Sequence, residues 1–519
     1  MLRHRTRTFA AAAAALVSVA ALSQGVGATT TPPEDSAPPA EDSAAPTADF
    51  DIDPDATVVI GFALEPTNLD IIHQSGAQLP QLLLDNVYET LLSSTPSGEI
   101  GPALAETWEL SDDGLTLTLT LREGVTFHDG SSLTAADAVW SLTETQAAGN
   151  AAAALANVAS IDAPDDSTVV LTLSSPDSFV PWQLSQRAGV VLKADATDME
   201  NTTNGTGPFE LTDWRQGDSV TLTRFDGYWG EPAGAAEVVF QYISDATGTA
   251  SMQALLDGDI DILTRVNTDL VGQVEDNPDF VVSTGTTNGE YTLGFNNTDE
   301  VLSNPLVRQA ITQAIDKEGM LELFSGYGTI TGSPVPPTDP WYEDLTGLYP
   351  YDPEAAQAKL DEAGYGDGLT LTFVVPNQYP QAHADYIVGA LGDVGIDVDL
   401  QSVEFSAWLD QVYTNHDYDL TLVLHVEPRD LGNYARDDYY WNYNSAEVQD
   451  LYAEARAATD PAQSTELLRQ AAHIVAEDAP AVWLLVWDDV LAARTGVAGY
   501  PTFDVLNQFD AANIVSDGQ

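Results

Sequence analysis

Residues 104–139, LAETWELSDDGLTLTLTLREGVTFHDGSSLTAADAV, leave the backbone few choices. Trp108 and Leu110, then Leu115, Leu117, Leu119 and Leu121, alternate with polar residues, as two half-buried antiparallel strands require. Ser111-Asp112-Asp113-Gly114 supplies the turn between them, with the glycine free to take positive φ. Phe127-His128-Asp129-Gly130 makes a second turn. Thr134 then caps a helix running to about Gln146, with Asp137 three residues on as a shortened capping-box acid.

A chain of 519 residues exceeds what one core can organise, so two or three domains are expected. Residues 1–28 read as a secretory leader. Arg3, Arg5 and Arg7 form its basic start, residues 9–22 are apolar and Ala-rich, and Val26-Gly27-Ala28 suits cleavage. An uncleaved membrane anchor is the other reading, but the apolar run is short for a span. Residues 29–56 are rich in Pro, Thr, Ser, Ala and acid, with too little apolar surface to offset the entropy of ordering, and read as a flexible tether. Asp51, Asp53 and Asp55 alternate there without the glycine and distal glutamate of a calcium loop.

Cysteine is absent, which excludes disulfides, thiolate metal sites, thiol catalysis and lipid attachment through an N-terminal cysteine. With 80 acids against 17 bases the formal charge is −63, a field that repels nucleic acid and anionic lipid. A salty habitat and plain solubility as an acidic exported protein explain it equally well. Zincin, nucleophile-elbow, P-loop and dinucleotide motifs are all missing, and the histidines at 73, 128, 383, 416, 425 and 473 stand singly. No catalytic residue, metal site or cofactor is assigned.

Elsewhere strand and helix patterns alternate, which argues α/β layers. Residues 57–62 form a buried strand, and 78–92 a helix with Leu82, Leu83, Val87 and Leu91 on one face. Strands are expected at 168–173, 209–214, 220–222 and 238–243, then a helix at 247–256 and a strand at 260–263. After a strand at 291–295, Ser303 or Asn304 caps a helix opened by Pro305. Asp352-Pro353 starts another helix that stops at Gly364, and Asp460-Pro461 a third that runs towards Pro480.

The 104–139 block resembles the signature of the family 5 extracellular solute-binding proteins, the dipeptide-, oligopeptide- and nickel-binding receptors of ABC importers. GTGPFELTDWRQGDSVTLTRFDGYWG and ALLDGDIDIL are similar to the blocks that follow it in the family. LGFNNTDEVLSNPLVRQAITQAIDKEGM, with Arg308, Ala310 and Asp316 in place, and AEARAATDPAQSTELLRQAAHIVAEDAPAVWLLVWDD extend the resemblance over residues 57–515. It implies an α/β, two-lobed, type II periplasmic-binding-protein-like fold. Lobe I would be 57–290 with an extra subdomain at 85–195 and a return at 486–519, lobe II would be 291–485, and the hinge would lie near 288–292 and 484–488. The implied protein is an exported, monomeric receptor that carries a small solute to permease subunits. A di- or oligopeptide is the first expectation, an oligosaccharide or chelated nickel the next, and a secreted hydrolase or adhesin on this fold the alternative of another class.

The resemblance also implies where ligand sits. The loop after the first strand, Leu64, Glu65, Pro66, Thr67 and Asn68, would touch it, as would Asn288, Glu290 and Tyr291 at the crossover. The segment LVLHVEPRDLGNYARDDYYWNYN carries His425 where an aromatic is common in the peptide receptors, and Glu427, Arg429 and Asp430 where an aspartate meets the peptide amino terminus. Arg429 would meet a ligand carboxylate or neutralise Glu427. Tyr439, Tyr440, Trp441 and Tyr443 are either core or a stacking wall. Glu65 and the 425–430 cluster would form opposite jaws.

Overall fold

Two long strands, Phe280–Phe295 and Ala481–Arg494, pair antiparallel and carry the central sheet from one half of the molecule to the other. The computed structural model describes residues 47–76, 78–149, 151–243, 247–503 and 508–519. The leader and the tether up to residue 46 lie outside them. In the sheet the strands follow the order Ile396–Val403, Leu369–Pro376, Leu420–His425, Phe280–Phe295, Ala481–Arg494, Ile262–Leu263, Thr57–Phe62, Glu237–Tyr242, Ser219–Arg224, Phe209–Arg215. Gly328–Ile330 adds to Ala481–Arg494 from outside this path.

The two long strands change register between Thr286 and Glu290, where the pairing is interrupted. On the N-terminal side of the break, Ala492 and Ala493 also pair with Ile262–Leu263. On the other side, residues 290–295 pair with Leu420–His425. Separate apolar cores flank the break. One gathers Val58, Ile60, Leu82, Phe209, Phe240 and Leu491, and the other gathers Tyr291, Leu293, Ile311, Leu360, Phe373 and Leu422. An aromatic core, with Tyr434, Tyr440, Trp441 and Trp483, backs the second half.

A further core belongs to a four-stranded antiparallel sheet, Ala105–Leu110, Thr116–Leu121, Thr168–Leu173 and Val158–Asp165 in spatial order. Leu117, Leu119 and Leu121 point into it, as their alternation predicts. The turn closes through Gly114, at φ +67°, whose N–H donates to the Ser111 carbonyl. Asp137 holds the following helix, Ala135–Ala148, in place. Its Oδ2 accepts from the Thr134 N–H and hydroxyl, each at 2.8 Å, and its Oδ1 from the Ala194 N–H at 2.9 Å and Lys193 Nζ at 3.0 Å. His128 joins this subdomain to the main sheet. Its Nδ1 accepts from the Gly205 N–H and its Nε2 faces the Gly207 carbonyl at 3.1 Å, which sets the Nε2–H tautomer.

The expected caps form as side-chain bonds. Asn304, rather than Ser303, accepts from Leu306 N–H ahead of Pro305–Ala314, and Asp352 and Asp460 cap Pro353–Ala363 and Pro461–Asp478. Arg308 lies buried and donates to the carbonyls of Leu302, Ser303, Asp478 and Ala479, so one helix start is tied to the unsatisfied end of another.

Two expectations need correction. The helix at 78–92 stops at Leu83, because Asp85 takes φ +63° and the Asn86 amide donates to the Leu82 and Phe509 carbonyls. The residues meant for one helical face are still buried, Leu82 and Leu83 in the short helix, Val87 in the turn and Leu91 just ahead of the strand Leu92–Ser94. The tether does not stay free to residue 56. Asp53 N–H donates to the Ser516 carbonyl and Arg224 donates to the Pro54 carbonyl, which fixes the chain before its first strand.

Replacing Asp137 by alanine removes a buried carboxylate with four donors, and should lower the unfolding free energy by about 2–3 kcal/mol. Urea melts followed by circular dichroism would measure it, and a loss below about 0.5 kcal/mol would contradict this role.

Candidate functional site

Alternation along Phe280–Phe295 sends neighbouring side chains to opposite faces of the sheet. Tyr291 therefore turns into the second core, where its hydroxyl lies 2.9 Å from His383 Nδ1 and its ring meets Phe324 and Tyr379 edge-on. It is a packing residue, which corrects its expected place against ligand. Glu290 takes the other face, directly opposite His425 in the register.

That face collects acids. Glu290, Asp339 and Asp430 are 3%, 6% and 7% exposed. Among the described residues, Glu290 Oε1, Asp339 Oδ2 and both oxygens of Asp430 meet no hydrogen-bond donor. Burial raises the Glu290 carboxyl well above its usual range, and Asp430 and then Asp339 push it further. Asp430 is raised in the same way, by burial first and then by Glu427 and Asp339, with Asn433 offsetting a little. Asp339 is pushed up to about 7 by burial, against the pull of Arg429. His425 is pushed down to about 4 by burial and so stands neutral, with Nε2 2.9 Å from the Tyr440 hydroxyl and Nδ1 4.0 Å from Asp430.

Behind the acids stands a rigid aromatic block. Trp441 stacks on Tyr434 with ring centres 4.4 Å apart and meets His425 at 4.9 Å, and Trp483 Nε1 donates to the Tyr434 hydroxyl. Tyr439, Tyr440, Trp441 and Tyr443 are all buried, so this run is core rather than an open stacking wall.

Arg429 roofs the cluster. Its backbone sits in the left-handed region at φ +57°, a strained setting for a non-glycine residue. The side chain leaves the sheet and donates to the Gly98 carbonyl at 2.8 Å, with the guanidinium 4.5 Å from the Trp182 ring centre and 5.2 Å from that of Trp341. Gly98 and Trp182 belong to the subdomain beside the first core, so Arg429 reaches across the cleft and does not pair with Glu427. Gly98 is required there. It adopts φ +78°, and a Cβ would lie 2.9 Å from the guanidinium and 3.0 Å from Pro340. Beside this roof Thr338 donates to Asn288 Oδ1 at 3.0 Å, which ties the acid-bearing loop to the interrupted stretch of the long strand. A second cross-cleft contact runs along helix Ala446–Ala457, where Arg456 pairs with Asp177, and Ser178 N–H and Oγ donate to the Arg456 and Ala455 carbonyls.

Glu65, expected as the opposing jaw, is engaged within its own half. Its Oε1 accepts from Trp214 Nε1 at 2.9 Å and its Oε2 from the Gly217 N–H at 2.8 Å, which locks it onto a hairpin of its own half. Pro66 is buried and Thr67 exposed beside it. Gly98 and Trp182 are what face the 425–430 segment. Asp339 and Trp341 were not legible as site residues, since their Pro-rich loop has no periodicity. The pairing of acid and tryptophan in Asp339-Pro340-Trp341 is the signal that marks them.

The model of the bacterial extracellular solute-binding proteins, family 5 (middle region), matches residues 99–449, more than half of the chain. The chain belongs to this family. Its members are binding proteins rather than enzymes, and the fold is their two-lobed type II periplasmic-binding-protein fold, with the four-stranded subdomain beside lobe I. The glutathione-binding protein GsiB of Escherichia coli O1:K1 is 26% identical over 478 residues, 85% of this chain and 91% of that protein. Heme-binding protein A of Haemophilus influenzae is 28% identical over 442 residues, 75% and 79% of the two chains. The periplasmic binding protein DppA of Helicobacter pylori, solved with the peptide STSA, superposes with a TM-score of 0.72 at 25% identity, covering 89% of this chain and 98% of that one. No described helix is long and apolar enough to cross a membrane.

A carboxyl raised by the fold stabilises it while protonated, and that stability is lost as pH rises from the unfolded value near 4 through the folded one. Asp339→Asn keeps the shape and removes the titration. The variant should gain on the parent in thermal melts as pH rises from about 5 to about 8. A constant difference between the two would show that Asp339 is ionised throughout.

Proposed function

We propose that this protein captures a short peptide between its lobes, at the face of Glu290, Asp339 and Asp430, and delivers it to the permease of an ABC importer. The observation that carries this reading is the set of carboxylate oxygens left without donors beneath the Arg429 roof. A buried acceptor without a donor costs about 1–3 kcal/mol, and natural folds retain such groups where a ligand supplies the missing partner. A peptide brings an amino-terminal ammonium with three donors. Asp430 and Glu290 accept it.

Lobe I as 57–290 with 486–519, and lobe II as 291–485, is supported by the separation of apolar cores on either side of the break in the long strands. Closing a mostly open population takes about 5.5 kcal/mol of preference for the closed form, so ligand contacts must involve both lobes. Arg429, Gly98 and Trp182 provide the meeting point. The protein works as an exported monomer after loss of residues 1–28, and turns over nothing. A sugar receptor is less well supported, because the aromatic run that would stack on a sugar face is packed into a core.

Native mass spectrometry of the purified protein should show a bound mass that fragments as amino acids. In calorimetry with that peptide, Asp430→Asn should weaken binding about 10- to 100-fold with the thermal melt retained. Unchanged affinity would remove Asp430 from the site, and cleavage of the peptide during incubation would make the protein a hydrolase.

A further inference from the structure

The charge balance under the Arg429 roof goes beyond a single amino terminus. Three buried carboxyls, on three separate segments, lie close enough to raise one another: Glu290 on the long strand, Asp339 on the Pro-rich loop and Asp430 after the Leu420–His425 strand. Arg429 is the cation that acts on Asp339, and Asp339 is its carboxylate partner in turn. Its hydrogen bond, moreover, goes to the Gly98 carbonyl rather than to any carboxylate. Glu290 and Asp430 are left with no counter-charge, and Glu427 at the rim adds a further negative charge.

The other ionisable groups facing this space do not help. His425 is neutral, and Tyr342, Tyr434, Tyr439 and Tyr452 are each held un-ionised by burial. Arg436 lies further out, bonded to Asp438. Glu290 and Asp430 do not share a proton through a mutual hydrogen bond, since Glu290 Oε1 and both Asp430 oxygens are unpartnered. With Asp339 Oδ2 the orphaned acceptors number four. One ammonium offers three donors and a single charge, so it satisfies neither count. Among the described residues no three acidic or histidine side chains are placed to hold one metal ion. The space asks for an organic ligand with positive charge at two points.

We propose that the site is built for a solute carrying two cationic groups, either a short peptide with a basic residue at its amino terminus or a free diamine. This rests on the reading of the acid face as the ligand site. On binding, the two ligand cations take the place of the protons that keep the empty carboxyls neutral. Each carboxyl ionises as it meets its cation, and the proton leaves to solvent. Affinity therefore rises with pH across the range in which the empty site still holds protons.

The test is titration calorimetry on the full-length protein with Lys-Ala, norleucyl-alanine, Ala-Ala and 1,5-diaminopentane. It is run at about pH 6 and about pH 8, in buffers of different ionisation enthalpy so that proton release is counted. Lys-Ala should bind about 10-fold or more tighter than norleucyl-alanine, which has nearly its shape without the second charge, and should release protons. Glu290→Gln should cut that ratio to about 3-fold or less, with a thermal melt showing the variant folded. Equal binding of Lys-Ala and norleucyl-alanine would overturn the two-cation inference and leave the peptide reading standing. Binding of the diamine without either dipeptide would support the inference and overturn the peptide reading. If none of the four binds, both fail.

Discussion

The pairing of Phe280–Phe295 with Ala481–Arg494 is the interaction on which the rest of this structure depends. It joins two bodies with separate cores into one sheet, and its break at residues 286–290 decides which side chains meet in the cleft. Side chains alternate between the two faces of a strand, so a slip of one residue after the break would exchange Glu290 with Tyr291. The acid would then enter an apolar core and the tyrosine would face the cleft. The bond from Thr338 to Asn288 and the pairing of Glu290 with His425 hold the register on the functional side. The second half of the molecule thus presents its acids through the same strand that connects it to the first.

Positive charge is scarce in this chain, and the structure places much of it inside. Arg187 donates to the carbonyls of Ile71, Gln74 and Gly76, Arg308 to the carbonyls around two helix ends, and Lys317 to the Thr331 carbonyl at 2.7 Å. Each donates to backbone that has lost its water, the two arginines to several carbonyls, a task the abundant carboxylates cannot perform. The surface is consequently strongly acidic, with exposed arginines such as Arg215, Arg436 and Arg469 held against carboxylates. The acids of the cleft continue that field into the interior, where the dielectric is lower and each unpaired charge costs far more.

Much of the fold was legible because its determinants are local. The Ser111–Gly114 turn, the Thr134/Asp137 box and the Pro-opened helices with Asn304, Asp352 and Asp460 as caps each lie within a few residues of one another. The failures share a cause in distance along the chain. The 78–92 segment is helical by pattern, but Asn86 bonds to Phe509 and the backbone of Gly207 closes on Val87. Glu65 looked free because its partners, Trp214 and Gly217, lie about as far away in sequence as a whole domain is long. The site was half visible. Asp430 and Arg429 stand in the segment that the resemblance places at the peptide amino terminus. Asp339 sits in a loop with no period to read, and strand alternation alone forbade Glu290 and Tyr291 from sharing a cleft.

The Arg429 roof has a consequence for traffic through such a receptor. Parting the lobes breaks the bond to Gly98 and admits water to the three carboxyls, which then hold their charge comfortably. Shutting the lobes again over an empty site means stripping that water from acids with no cation to meet them. With the acid face as the ligand site, an unloaded receptor would thereby be discouraged from adopting the shape of a loaded one, and a permease that responds to the shut form would be shielded from idle cycles. On the proposed reading, the buried acids would act as a check on cargo: the jaws would close easily only over something that brings its own charge.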